Sequence, residues 1–151
     1  MKNIFEIICK KCRGKCCKTV TFLSQDDLQR LKKCKDMFAQ NKKFIHTRTN
    51  NHFLMLKNGE CSFLDPVKGY KLKEACRPLE CLLFPLVFKS EKNDIRFYLN
   101  KKCPYLKEIS KKWVSETTKW ADSRLKHWKK AEKESFSKII GNHPSSHLHV
   151  L

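Results

Sequence analysis

With 151 residues, 40% apolar and 32% charged side chains, the chain carries enough apolar material for one modest core, which excludes a disordered protein. No apolar run approaches the roughly 18 residues of a membrane-spanning helix, so membrane insertion by that route is excluded as well. Thirty-three basic residues against 15 acidic ones give a net charge of +18; this admits a nucleic-acid partner but does not favour one, because the charge is mostly lysine spread along the chain.

The chain starts with a brief apolar run, Ile4 to Ile8, broken by Glu6 and followed by a cysteine rather than small residues, a poor secretory signal. A cytoplasmic location is the expectation, and there clustered cysteines favour metal ligation over disulfides. Thr19 to Leu23 reads as a short strand. Ser24 with Asp27 three residues on reads as a capping pair opening a helix from Gln25 to about Lys35, with Leu28 and Leu31 as its apolar stripe. Phe44–Thr49 and His52–Lys57 are predicted strands joined at Asn50-Asn51. Asn58-Gly59 makes a second turn and delivers Cys61. Pro78 opens a short turn or helix carrying Cys81. Leu86–Phe88 and Ile95–Leu99 form a predicted hairpin. From Tyr105 to Ile140 the pattern is helical, with Leu106, Ile109, Trp113, Trp120 and Trp128 on its apolar side, and Gly141, Asn142 and Pro144 end it. The expected architecture is α+β: a single small, irregular, metal-stabilised cysteine-cluster domain over residues 1–141, with short hairpins, closed by one long amphipathic helix over 105–140. Residues 142–151 are expected to be a flexible tail.

Chemistry is concentrated in the nine cysteines. Cys9, Cys12, Cys16 and Cys17 fall in one run, with Lys10, Lys11, Arg13, Lys15 and Lys18 among them. Cations at that density favour thiolate over thiol, the form that binds metal, and Cys9-x2-Cys12 is a knuckle spacing. Cys61, Cys76, Cys81 and Cys103 each stand at a turn or element boundary, near Gly59, Pro78 or Pro104, where ligands are usually presented. Cys34, alone between lysines on a predicted helix, reads as structural. The remaining eight suit two four-thiolate sites or one cluster with spare ligands, and thiolate-only donors suit zinc and iron–sulfur clusters equally. The spacing excludes the bacterial ferredoxin run and the Cys-x3-Cys-x2-Cys of radical enzymes, and no suitable His pair follows the knuckle.

Taken together, Cys-x2-Cys-x3-Cys-Cys, then Cys61-Ser-Phe-Leu-Asp65, then Arg77-Pro78-x2-Cys81 with Phe84-Pro85 beyond, resemble the YkgJ-type cysteine-cluster family over about residues 9 to 104. That family is described as zinc- or iron-chelating, and flagellin lysine N-methylases are relatives. The resemblance implies Cys9, Cys12, Cys16, Cys17, Cys61 and Cys81 as ligands. It departs in two places. Gly69-Tyr70-Lys71 occupies the window where the family carries a cysteine, while Cys76 directly precedes Arg77. Leu82 stands where the family has an arginine.

Arg77 is a candidate for holding an anionic cofactor or substrate, since a guanidinium grips a carboxylate or phosphate in two places; a structural salt bridge is the competing role. The histidines of the tail, and His46 and His52, read as ordinary surface residues. The three tryptophans can stack bases or pack on the domain, and their spacing favours packing. The function expected is metal binding through cysteine thiolates, by zinc or an iron–sulfur cluster, with the ion as the main partner and a protein partner admitted. The alternatives are an iron–sulfur-dependent transferase acting on protein lysines, by resemblance, and a basic nucleic-acid-binding module. Only four glycines and no glycine-rich cradle weigh against the transferase.

Overall fold

The computed structural model describes residues 11–12, 18, 20–34, 45–65, 69–91, 94–141 and 148–150. It is mixed α+β, with four α-helices among the described residues, two three-stranded sheets and two two-stranded ribbons. Where the sequence suggests a single domain, the chain divides into two compact units, Met1–Leu82 and Leu83–Leu151. No described helix is long and apolar enough to cross a membrane.

In the first unit, strand β1 (Thr21–Leu23) runs directly into helix α1 (Gln25–Lys33). Ser24 makes that junction. Its hydroxyl accepts the Asp27 N–H at 3.1 Å, and Asp27 accepts the Ser24 N–H at 2.9 Å, which satisfies two otherwise orphan donors. Arg30, Lys32 and Lys33 in the last turn suit the negative end of the helix dipole. Strands β2 (Ile45–Arg48) and β3 (Asn51–Leu54) form a hairpin, and β3 pairs with β1 to give the antiparallel order β1–β3–β2. The turn falls one residue earlier than the sequence suggests, at Thr49-Asn50, with φ of 49° and 64°. Two successive positive φ values match the right-handed twist of the flanking strands. Asn58-Gly59, at φ 52° and 78°, does the same between β4 (Leu56–Lys57) and β5 (Glu60–Cys61). Strands β6 (Leu64–Asp65) and β7 (Gly69–Tyr70) form the other ribbon. A 3-10 turn, Glu74–Cys76, leads through Pro78 to helix α2 (Leu79–Leu83). The core of this unit joins Leu23, Leu31, Leu54, Phe63 and Leu72 with Cys61 and Cys76.

The second unit is built on the hairpin β8 (Leu86–Glu91) and β9 (Asp94–Asn100). Strand β10 (Leu148–Val150) pairs antiparallel with β9, so part of the segment expected to be a flexible tail is sheet. Backbone hydrogen bonds along β9 reward its ordering. The long helix expected over 105–140 is also corrected. It is a 3-10 turn (Leu106–Glu108) followed by two helices, α3 (Lys111–Leu125) and α4 (Lys130–Gly141). Ser110 caps α3 by accepting the Trp113 N–H at 3.1 Å, and Trp113, Thr117, Ala121 and Leu125 form its buried stripe at a spacing of four residues. At the break Glu132 accepts the Lys129 N–H at 3.0 Å, restarting the helix. The break lets Trp128 turn inward, edge-on to Phe88 (5.7 Å between centroids) and to Phe136 (6.1 Å), while Phe136 stacks on Phe88 at 4.2 Å. Trp113 and Trp128 are buried; Trp120 is half-buried beneath the Arg124 guanidinium.

Candidate functional site

The chemistry of the first unit collects where α2 meets β1 and α1, and two buried carboxylates make that junction. Asp27 Oδ1 accepts the Leu79 N–H at 2.8 Å, so the residue that caps α1 also takes an orphan donor from the first turn of α2. In return, Glu80 reaches from α2 to β1 and accepts the Phe22 N–H at 2.7 Å. These crossed clips hold Cys81, the next residue, against β1, with its Sγ 3.9 Å from the Thr21 hydroxyl.

Both acids are costly to ionise there. Burial pushes the Glu80 carboxyl up to about 7, opposed by the Phe22 N–H and reinforced by the charge of Asp27. Burial likewise raises Asp27, against the pull of Arg30 and of the hydrogen bonds from Ser24 and Leu79. Arg30 forms ion pairs with both Asp26 and Asp27. Asp27 is legible from the sequence as a capping residue. Nothing in Arg77-Pro-Leu-Glu80-Cys81 signals that Glu80 is more than a surface acid.

The cysteines fall as follows. Cys12 is buried, with helical backbone, next to the exposed Lys11. Cys61 ends β5 and is buried in the apolar core of the first unit. Cys81 is half-buried on α2. Cys103, buried in the second unit, follows β9 with its N–H donated to the Asn100 carbonyl at 3.1 Å. Cys9, Cys16 and Cys17 lie outside the described residues, as do His143 and His147. Among the described residues no three His, Cys, Asp or Glu side chains form a group able to hold an ion.

Cys76 differs from its expected role. It is joined in a disulfide to Cys34, 42 positions away in sequence, with their Cα atoms 6.3 Å apart, within the usual range for such a bridge. A sulfur committed to an S–S bond has no thiolate to offer a metal, so in this state Cys76 is not a ligand. Cys34, read as a solitary structural cysteine, is its partner at the C-cap of α1. Arg77 is half-buried, and its Nε donates to the Leu72 carbonyl at 2.9 Å, which ties the guanidinium to the chain just before the 3-10 turn. His52 bridges Gln25 and Thr47 at 3.2 and 2.9 Å, and His46 is exposed on β2.

No family model, curated protein or solved structure matches the chain.

Proposed function

We propose that the chain is a metal-binding cysteine-cluster protein whose thiolates hold zinc or an iron–sulfur cluster, in the manner of the YkgJ-type domains it resembles. The donors are Cys9, Cys12, Cys16 and Cys17 from the N-terminal run, with Cys61 and Cys81. The observation that supports this best is the placing of Cys81. The Glu80 carboxylate clips its helix to β1 and the buried Asp27 carboxylate clips the same helix to α1, a device that holds one thiol in position within an otherwise irregular unit. Cys61 and Cys12 add buried sulfurs, and Leu82 and Leu83 beside Cys81 and Phe63 beside Cys61 are buried apolar residues. A thiol-only donor set with apolar neighbours fits a soft divalent ion or a cluster, since it limits water access and leaves sulfur as the best available base. When bound, the metal supplies a cross-link between chain segments that the small sheets alone hold weakly.

Titration of the reduced, metal-free chain with cobalt(II) tests this. Thiolate coordination gives intense sulfur-to-cobalt charge-transfer absorption that saturates at a whole-number ratio, weakens in Cys81→Ser and disappears on adding zinc. A chain that takes cobalt without charge-transfer absorption, or takes none, refutes the reading.

A further inference from the structure

We infer that Cys34 and Cys76 form a reversible redox switch, in which Cys34 is the sulfur that exchanges with external thiols and Cys76 the buried one that is withheld from, or released to, the metal centre. Three observations carry it. The bridge joins α1 to the very segment that presents Cys81, since Cys76 lies five residues before it. That segment is fastened to α1 a second time, by the Asp27–Leu79 hydrogen bond, so opening the bridge frees sulfur without freeing the whole segment. The two residues are also unequal in exposure. Cys76 is 8% exposed, whereas Cys34 is half-buried at the end of α1, flanked by the exposed Lys32 and Lys33.

Exchange needs a thiolate to reach one sulfur along the S–S axis, so an attacking thiol meets Cys34 and expels Cys76 as thiolate. A second external thiol then attacks the mixed disulfide on Cys34. Cys34 leaves as thiolate, and the two external thiols depart as their own disulfide; two electrons and two protons have moved to the protein. Closure is the reverse in electron count. Two protein thiols lose two electrons and two protons to a peroxide, whose O–O bond breaks to give two waters, or to an oxidised small-molecule disulfide. The lysines flanking Cys34 attract anionic thiols such as tripeptides bearing carboxylates.

The redox chemistry stands by itself, and its effect on metal rests on the proposed function. Once reduced, Cys76 shares the apolar cluster that holds Cys61 and becomes an additional thiolate donor. Closing the bridge withdraws that donor and weakens retention of metal by about tenfold or more, the usual cost of disturbing a ligand shell.

The experiment follows peptide masses and zinc release in one anaerobic sample. Reduced, zinc-loaded protein is treated stepwise with oxidised glutathione and quenched with an alkylating agent. The expected result is that the Cys34–Cys76 peptide pair appears first, with zinc passing to a chromogenic chelator in step, while Cys34→Ser keeps its zinc under the same oxidant. Cys76→Ser, which leaves the reactive sulfur in place, accumulates glutathione on Cys34. Alkylation of both Cys34 and Cys76 at full oxidation, or first closure between other cysteines, overturns the switch. Zinc loss from Cys34→Ser at the wild-type rate overturns the coupling to metal. Reduced protein that takes up no zinc overturns the proposed function and the coupling with it, while the masses still decide the exchange at Cys34.

Discussion

Replacing Glu80 by glutamine should remove a definite part of the protein's pH dependence. The side-chain amide keeps a carbonyl oxygen for the Phe22 N–H, which Glu80 now accepts at 2.7 Å, so the clip to β1 survives while the ionisable proton is lost. In the folded chain Glu80 holds its proton up to about pH 7, against an ordinary value of 4.5. Unfolded chain gives the proton up near that ordinary value. Between the two the folded state binds more protons, so the contribution of Glu80 is fully present below about pH 4.5 and is lost as pH rises towards 7. A gap of roughly 2.5 pH units at about 1.4 kcal/mol each is about 3 kcal/mol, and since Glu80 is only half-buried as a residue, water screening brings the expectation to about 2 kcal/mol. Urea unfolding followed by circular dichroism at about pH 5 and pH 7.5 measures it. Thiol and metal titrations common to both proteins cancel in the difference. Glu80→Gln should gain about 2 kcal/mol on wild type between those pH values. Parallel stability curves would refute the argument that burial holds this proton.

Other expectations concern the two cores and the turns. Phe136→Ala leaves a void beside Phe88 and Trp128 and should cost about 3–5 kcal/mol in the second unit, read by urea unfolding with tryptophan fluorescence; a loss below about 1 kcal/mol would mean the ring stack is not packed. The Thr117 hydroxyl is buried without a hydrogen-bond partner among the described residues, so Thr117→Val should stabilise by about 1 kcal/mol in the same assay. Thr49 is a β-branched residue at φ 49°, and Thr49→Asn should stabilise the β2–β3 hairpin by about 0.5–1 kcal/mol, measured by slower amide exchange of its strands.

Local devices were legible in the sequence because the chemistry that makes them is local. Ser24 and Asp27 are three residues apart, and a capping pair needs nothing from elsewhere. Asn58-Gly59 supplies the left-handed backbone a tight hairpin requires, and Pro78 marks the start of α2. The break at residues 126–129 was not legible. No glycine or proline stands there, and the contacts that accompany the break, Trp128 against Phe88 and Phe136, join residues that are not neighbours in sequence. Strand β10 depends on a partner about fifty residues earlier, which the composition of a tail does not disclose. The same distance problem hid the site. Glu80 and Phe22 are 58 residues apart in sequence, and Cys34 and Cys76 are 42 apart. A carboxylate's depth and a sulfur's partner are set by where the chain returns. The cysteine run at residues 9–17 is visible in the sequence because its members are neighbours, whereas the clips that position Cys81 join residues that only the fold brings together.

The most direct test of the metal reading is anaerobic purification with elemental analysis, an absorption spectrum and circular dichroism on one sample, before and after a strong chelator. The expected result is zinc, or iron with sulfide and absorption near roughly 400 nm, in fixed ratio to protein, with secondary structure in the first unit lost as the metal leaves. Protein that is free of metal as purified, and whose spectrum the chelator does not change, would contradict it.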